Sequence, residues 1–112
     1  MAEQAELTRP EAGDTIRTAN PATGEPGQTF KETSIEEART ASKAARAAFL
    51  KWRRTTFADR SAVIRQAAEI LRVRKDELAR LMTEEMSKTV TDGRAEVEKC
   101  AFHCDWFADH AQ

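Results

Sequence analysis

The sequence predicts a mostly α-helical chain in which three long helices follow a short N-terminal β ribbon. Three observations lead there. Large apolar residues recur at separations of three and four between residues 56 and 88, the period of one helix face. Two helix-start signatures, Ser34 with Glu37 and Thr56 with Asp59, open such patterns. Short continuous Val, Ile and Leu runs, the mark of buried parallel strands, are absent.

The elements follow in order. Residues 1–14 are polar, carry Pro10 and Gly13, and are expected to be flexible. Residues 15–112 are expected to form one helical unit, cut short at Gln112 because no helix stop signal precedes it. Thr15–Thr18 and Gln28–Lys31, each with one large hydrophobe (Ile16 and Phe30), read as short strands. Asn20-Pro21 to Pro26-Gly27 is dense in turn formers and reverses the chain between them. Ser34-Ile35-Glu36-Glu37 is a capping box that opens a helix to about Arg53. Its inner face is Ile35, Ala38, Ala41, Ala45, Ala48, Phe49 and Trp52, with the last two as expected core anchors.

The element from Thr56 to Lys88 is the expected centre of packing. Ile64, Ala67, Ala68, Leu71, Leu78, Leu81, Met82 and Met86 form its stripe. About thirty residues is long for a globular helix, and the stripe thins between Val73 and Asp76, where a break is expected. The third helix spans Thr89–Ala111, with Val90, Val97, Cys100, Ala101, Cys104, Phe107 and Ala108 on one side. Gly93 within it costs about 1 kcal/mol against alanine. That residue and Ala95 are expected to admit a close neighbouring backbone.

Charge and composition exclude several functions. Eighteen basic and 19 acidic residues, interleaved, leave a net charge of −1, so no strong field draws the chain to nucleic acid or acidic lipid. Membrane spans need roughly 20 apolar residues, and no run approaches that. A secretory signal is missing at the N-terminus, and two cysteines without one fit reduced thiols and a cytoplasmic setting. Glycine spacing matches no phosphate or dinucleotide loop, and no nucleophile motif stands out, so no catalytic or cofactor-binding residue is expected within the chain. Cys100, His103, Cys104 and His110 lie on one helix, which cannot aim four ligands at one ion, so the cysteines are read as small core residues. Arg60, Arg65, Arg72, Arg74 and Arg80 alternate with acids and are read as a solvated face with i to i+4 pairs. Trp52 and Trp106 are read as packing anchors.

Several segments together resemble the N-terminal part of the aldehyde dehydrogenase superfamily. They are Thr18-Ala19-Asn20-Pro21-Ala22-Thr23-Gly24-Glu25, Ala44 to Phe49 with Trp52-Arg53, and Arg60 with Ala67 to Leu71. Glu77-Leu78-Ala79, Met82 to Lys88 and Ala95 to Ala101 complete the series. The likeness is greatest to succinate-semialdehyde dehydrogenases. It implies the α/β aldehyde dehydrogenase fold and a parent enzyme several times longer, homo-oligomeric and dependent on NAD or NADP. In such an enzyme a cysteine thiolate attacks the aldehyde, hydride passes to NAD(P), and water hydrolyses the thioester. The residues of that chemistry match no position in this chain, which would act as a helical part of the cofactor domain, partnered by the rest of the enzyme and inactive alone. A free-standing helical protein-interaction module is the alternative. The resemblance also implies a sodium or potassium site at Thr18, two before Asn20-Pro21, and Glu85, two before Ser87-Lys88. Two departures stand out: Ser87 replaces a usual glycine suited to a left-handed helix end, and Thr89 replaces a usual proline. Both suggest a looser turn there.

Overall fold

The computed structural model describes residues 15–112, so the expected flexibility of residues 1–14 lies outside the described residues. Strands β1 (Thr15–Ala19) and β2 (Pro26–Lys31) pair antiparallel, with Ile16 opposite Phe30 and an irregularity between Arg17 and Ala19. The turn is tied by Asn20. Its side-chain oxygen accepts from the Ala22 N–H at 2.9 Å, and its carbonyl accepts from the Gly24 N–H at 2.7 Å. Gly24 takes φ 75°, a left-handed conformation that glycine adopts without steric cost.

Helix α1 (Ile35–Trp52) opens on both limbs of the expected capping box. The Ser34 hydroxyl accepts from the Glu37 N–H at 3.2 Å, and the Ser34 N–H donates to the Glu37 carboxylate at 2.8 Å. The Ser34 bonds, aided by Lys31, hold the Glu37 carboxyl down at about 2 against an ordinary 4.5. A depressed pKa means the cap stabilises the fold fully above about 4.5 and loses that effect as pH falls toward 2.

The long central element is two helices, so the expected three long helices are four. Helix α2 (Phe57–Val73) and helix α3 (Lys75–Met86) meet at Arg74, whose φ of −92° and ψ of 10° interrupt the helix for one residue. The break falls inside the stretch where the apolar stripe thins. Val73 is 85% exposed, so no packed side chain holds the backbone in register there. Thr56 and Asp59 cap α2 reciprocally.

Helix α4 (Val90–His110) lies along both α2 and α3, and this is where the core sits. Its buried residues are small: Gly93, Val97, Ala101 and Ala108 on α4 against Ser61, Ala68 and Ala79. A Cβ on Gly93 would stand 3.0 Å from Ala79 Cα and 3.1 Å from its carbonyl oxygen, closer than side chains ordinarily pack. The close approach expected at Gly93 is therefore made by Ala79. Ala95 is exposed and takes no part. At the other end the Ser61 hydroxyl donates to the Ala108 carbonyl at 2.9 Å, which satisfies a buried polar group within the seam.

The arginine face reads differently in three dimensions. Arg72 reaches across to Glu98 at 3.1 Å and Asp105 at 2.7 Å on α4, as well as to Glu69 on its own helix. Arg65 pairs with Asp109, Lys75 with Glu98 and Arg94 with Asp76. Most of these contacts run between helices, where pairs within one helix were expected; Arg72 with Glu69 and Arg74 with Glu77 are pairs of the expected kind, at a spacing of three. Partly exposed pairs contribute about 0–1 kcal/mol each, so the effect of those between helices is to fix the register of α4 on α2 and α3.

Not everything packs on the central element. No residue of α1 is buried, and Phe49 and Trp52 are 46% and 43% exposed, so neither is a core anchor here. Trp106 is also half exposed and stacks on His110 at 4.6 Å. Cys100 is exposed and Cys104 half-buried, which corrects the reading of both as core residues. The physical reason is common to these cases. Helical spacing identifies a face but not whether a neighbour covers it, and the α4 seam is chosen by smallness rather than hydrophobic bulk. The Cα radius of gyration of 19.2 Å exceeds the about 13 Å of a compact chain of this length, as a detached α1 requires. Among the described residues no helix is long and apolar enough to cross a membrane.

The seam predicts the outcome of enlarging it. Gly93→Val should destabilise the α3–α4 pair by about 1–3 kcal/mol through overpacking, seen as a lower denaturant midpoint by circular dichroism. An unchanged midpoint would show that the two backbones are not held together at this point.

Candidate functional site

The polar site with chemistry of its own lies where the ribbon turn meets the end of α3. Thr18, Asn20, Glu25, Pro26, Gly27, Gln28, Leu81, Glu84 and Glu85 line a cleft of about 280 Å³. Thr18 and Glu85, far apart in sequence, thus face one space. Each is positioned by a local feature. Thr18 sits at the irregularity of β1, and Gly27 opposite it leaves room that a Cβ would take from the Thr18 hydroxyl. Glu85 is placed by the last turn of α3, which contains Glu84 and Glu85 and no basic residue.

That placement is electrostatically awkward. The C-terminal end of a helix carries partial negative charge from its unpaired carbonyls, so an acid there is disfavoured. Among the described residues neither Glu84 nor Glu85 forms an ion pair. A carboxylate, a hydroxyl and nearby carbonyls offer oxygen donors of the kind that hard cations take. Among the described residues no three His, Cys, Asp or Glu side chains gather to hold a metal ion, so Glu25, Glu84 and Glu85 do not make a divalent centre. Thr18 and Glu85 bring a hydroxyl and a carboxylate to this one cleft. Glu25 and Glu84 were not singled out in the sequence. Their i to i+1 and cross-turn relations to Glu85 gave no periodic signal, and only the fold brings them to the cleft.

The turn between α3 and α4 follows directly after the helix end that carries Glu84 and Glu85. Ser87 takes φ 58° and ψ 22°, the left-handed helix end that the replaced glycine would favour. Its N–H donates to the Thr83 carbonyl at 3.0 Å. The turn is not loosened by Thr89. That hydroxyl accepts from the Asp92 N–H at 3.1 Å and caps α4, a role proline has no side-chain group to fill. Lys88 pairs with Glu96, tying the turn back to α4.

A second cleft, between the start of α2 and the end of α4, is lined mainly by Phe57, Ile64, Cys104 and Phe107, with Arg60 and His103 at its margin. It encloses about 290 Å³; Ser61, Cys104 and His103 all line it, but the Ser61 hydroxyl is spent on the Ala108 carbonyl, and among the described residues neither it nor Cys104 is hydrogen-bonded to His103.

Comparison with known proteins adds a further set of findings. The aldehyde dehydrogenase family profile matches residues 8–112. A probable succinate-semialdehyde dehydrogenase [NADP(+)] of Synechocystis sp. is 44% identical over 97 residues, which is 87% of this chain and 21% of that protein. A glutarate-semialdehyde dehydrogenase of Pseudomonas putida is 39% identical over 89% of this chain and 21% of its own length. In three dimensions the chain is similar to the crystal structure of succinic semialdehyde dehydrogenase from Streptococcus pyogenes in complex with NADP+ as the cofactor. The TM-score is 0.80 and the identity 33%, over 85% of this chain and 21% of that one. An NAD-dependent aldehyde dehydrogenase from Sinorhizobium meliloti gives 0.83 at 33% identity over 90% and 21%. The chain spans about a fifth of the length of the relatives it matches.

The strain at Ser87 is testable in the chain itself. Ser87→Gly should raise stability by about 1 kcal/mol by relieving the left-handed backbone, read as a higher denaturant midpoint. A lower midpoint would mean that the serine side chain, not its backbone, holds the turn.

Proposed function

The chain belongs to the aldehyde dehydrogenase family, and from that premise we propose that it is the N-terminal part of an NAD(P)-dependent semialdehyde dehydrogenase, with a role in scaffolding rather than in chemistry. The carrying observation is the joint match in sequence and shape: 33% identity with a TM-score of 0.80 to an enzyme of that activity. Oxidation of succinate semialdehyde or a close homologue to the carboxylate is the reaction proposed for the whole enzyme, with a homo-oligomeric state and a cytoplasmic setting. The two relatives carry the names of succinate- and glutarate-semialdehyde dehydrogenases, which supports that substrate class. This segment brings no nucleophile–base pair to the reaction. Its contribution is the ribbon, the α2–α4 unit and the cleft between them.

The test is a segment exchange. Residues 15–112 replace the matching segment of the Synechocystis relative, and the chimera is assayed with NADP and succinate semialdehyde. Retained turnover within about tenfold is expected, while residues 1–112 alone should give none above the buffer blank. A folded chimera without activity would remove the scaffold reading, and turnover by the short chain alone would remove the assignment of chemistry elsewhere.

The cleft is proposed to hold sodium or potassium through Thr18 and Glu85, which offsets the acid at the end of α3. The chimera should melt at a higher temperature in potassium or sodium chloride than in tetramethylammonium chloride at equal ionic strength. Glu85→Ala should abolish the difference. Equal melting temperatures in all three salts for the unmutated chimera would eliminate the site.

A further inference from the structure

Helix α1 is a well-capped helix that leaves a whole face uncovered. Ala45, Ala48, Phe49, Lys51, Trp52 and Thr55 line an open groove of about 600 Å³ along its C-terminal half. Phe49, Leu50 and Trp52 are among the exposed large hydrophobics, and two large aromatic side chains together on an otherwise solvated helix mark a contact surface. The rim has one sign. Between residues 38 and 54 lie Arg39, Lys43, Arg46, Lys51, Arg53 and Arg54 and no acid. Arg46 and Arg53 stand 5.4 and 5.9 Å from the Phe49 ring centre, so the cations border the apolar seam directly.

The position of α1 recurs in larger proteins. A structural match over 90% of this chain cannot omit a helix of 18 residues, so α1 has its counterpart in an aldehyde dehydrogenase of which the chain is 21%. The space beside α1 is therefore present in a protein of which about four-fifths lies outside the matched segment and is available to fill it. We propose that the Phe49–Trp52 face of α1 is a docking surface for the remaining part of an aldehyde dehydrogenase polypeptide, received on a surface that is apolar at its centre and acidic at its rim. This rests on the family reading above. It assigns α1 a partner outside residues 15–112 and makes α1 an attachment point, distinct from the α2–α4 unit that supports itself.

Tryptophan fluorescence separates this proposal from the reading beneath it. Trp106→Phe leaves Trp52 as the sole tryptophan of this chain; tryptophans of the relative's segment are replaced by phenylalanine in the chimera. In residues 1–112 alone, Trp52 should emit at long wavelength and be quenched readily by acrylamide. In the chimera its emission should move to the blue and its quenching constant fall several-fold. A chimera that is active while Trp52 stays as accessible as in the short chain overturns the docking surface and leaves the family reading intact. A folded, inactive chimera with Trp52 shielded does the reverse. Concentration-dependent shielding of Trp52 in the short chain would assign the face to a second copy and overturn the proposal. A further variant is independent of chimera folding: Phe49→Asp in the short chain should leave helix content and denaturant midpoint unchanged. Loss of either would show that α1 packs on α2–α4, which also overturns it.

Discussion

The structure depends on how closely α4 can approach α2 and α3. Helix axes come together when the residues between them are small, and here they are Ser61, Ala68, Ala79, Gly93, Ala101 and Ala108, with Val97 as the one fully buried larger side chain. Small residues bury little apolar area each, and transfer contributes roughly 25 cal/mol per Å². The contact therefore relies on many close van der Waals contacts and on the ion pairs that border it. Arg72 with Glu98 and Asp105, Lys75 with Glu98 and Arg94 with Asp76 determine which turns of α4 face which turns of its neighbours. Shape allows the approach, and charge selects its register.

Much of the local structure was legible in the sequence because its causes are local. The Ser34–Glu37 and Thr56–Asp59 boxes specify both helix starts within four residues, and Asn20 to Gly27 dictates the turn. The break near Arg74 was visible as a thinning stripe, although the same stripe was counted as one helix. What escaped was which faces are covered. Phe49, Trp52 and Trp106 have the period and bulk of core residues, yet no element among the described residues covers them. Conversely Ser61 is buried, because its hydroxyl finds the Ala108 carbonyl across 47 positions of chain. Periodicity carries no information about such long-range partners.

The candidate site was legible only through resemblance. Nothing in the composition singles out Thr18 or Glu85. Their meeting depends on the ribbon folding against the end of α3, and on Gly27 leaving room for the Thr18 hydroxyl. The same geometry adds Glu25 and Glu84, which neither spacing nor family likeness had drawn out.

The interruption at Arg74 divides one long macrodipole into two shorter ones placed end to end. The negative end of the first meets the positive end of the second at that residue. Arg72, in the last turn of α2, and Asp76 and Glu77, in the first turn of α3, all stand at the end that suits their sign. In an unbroken helix the same three charges would sit mid-barrel, where peptide dipoles cancel and no such preference exists. Those three charges, though not Lys75 at the first position of α3, are placed as two helices require, and they state the division in a different physical quantity from the hydrophobic stripe. The division also isolates Glu84 and Glu85 as the acids placed against their own helix, next to the cleft.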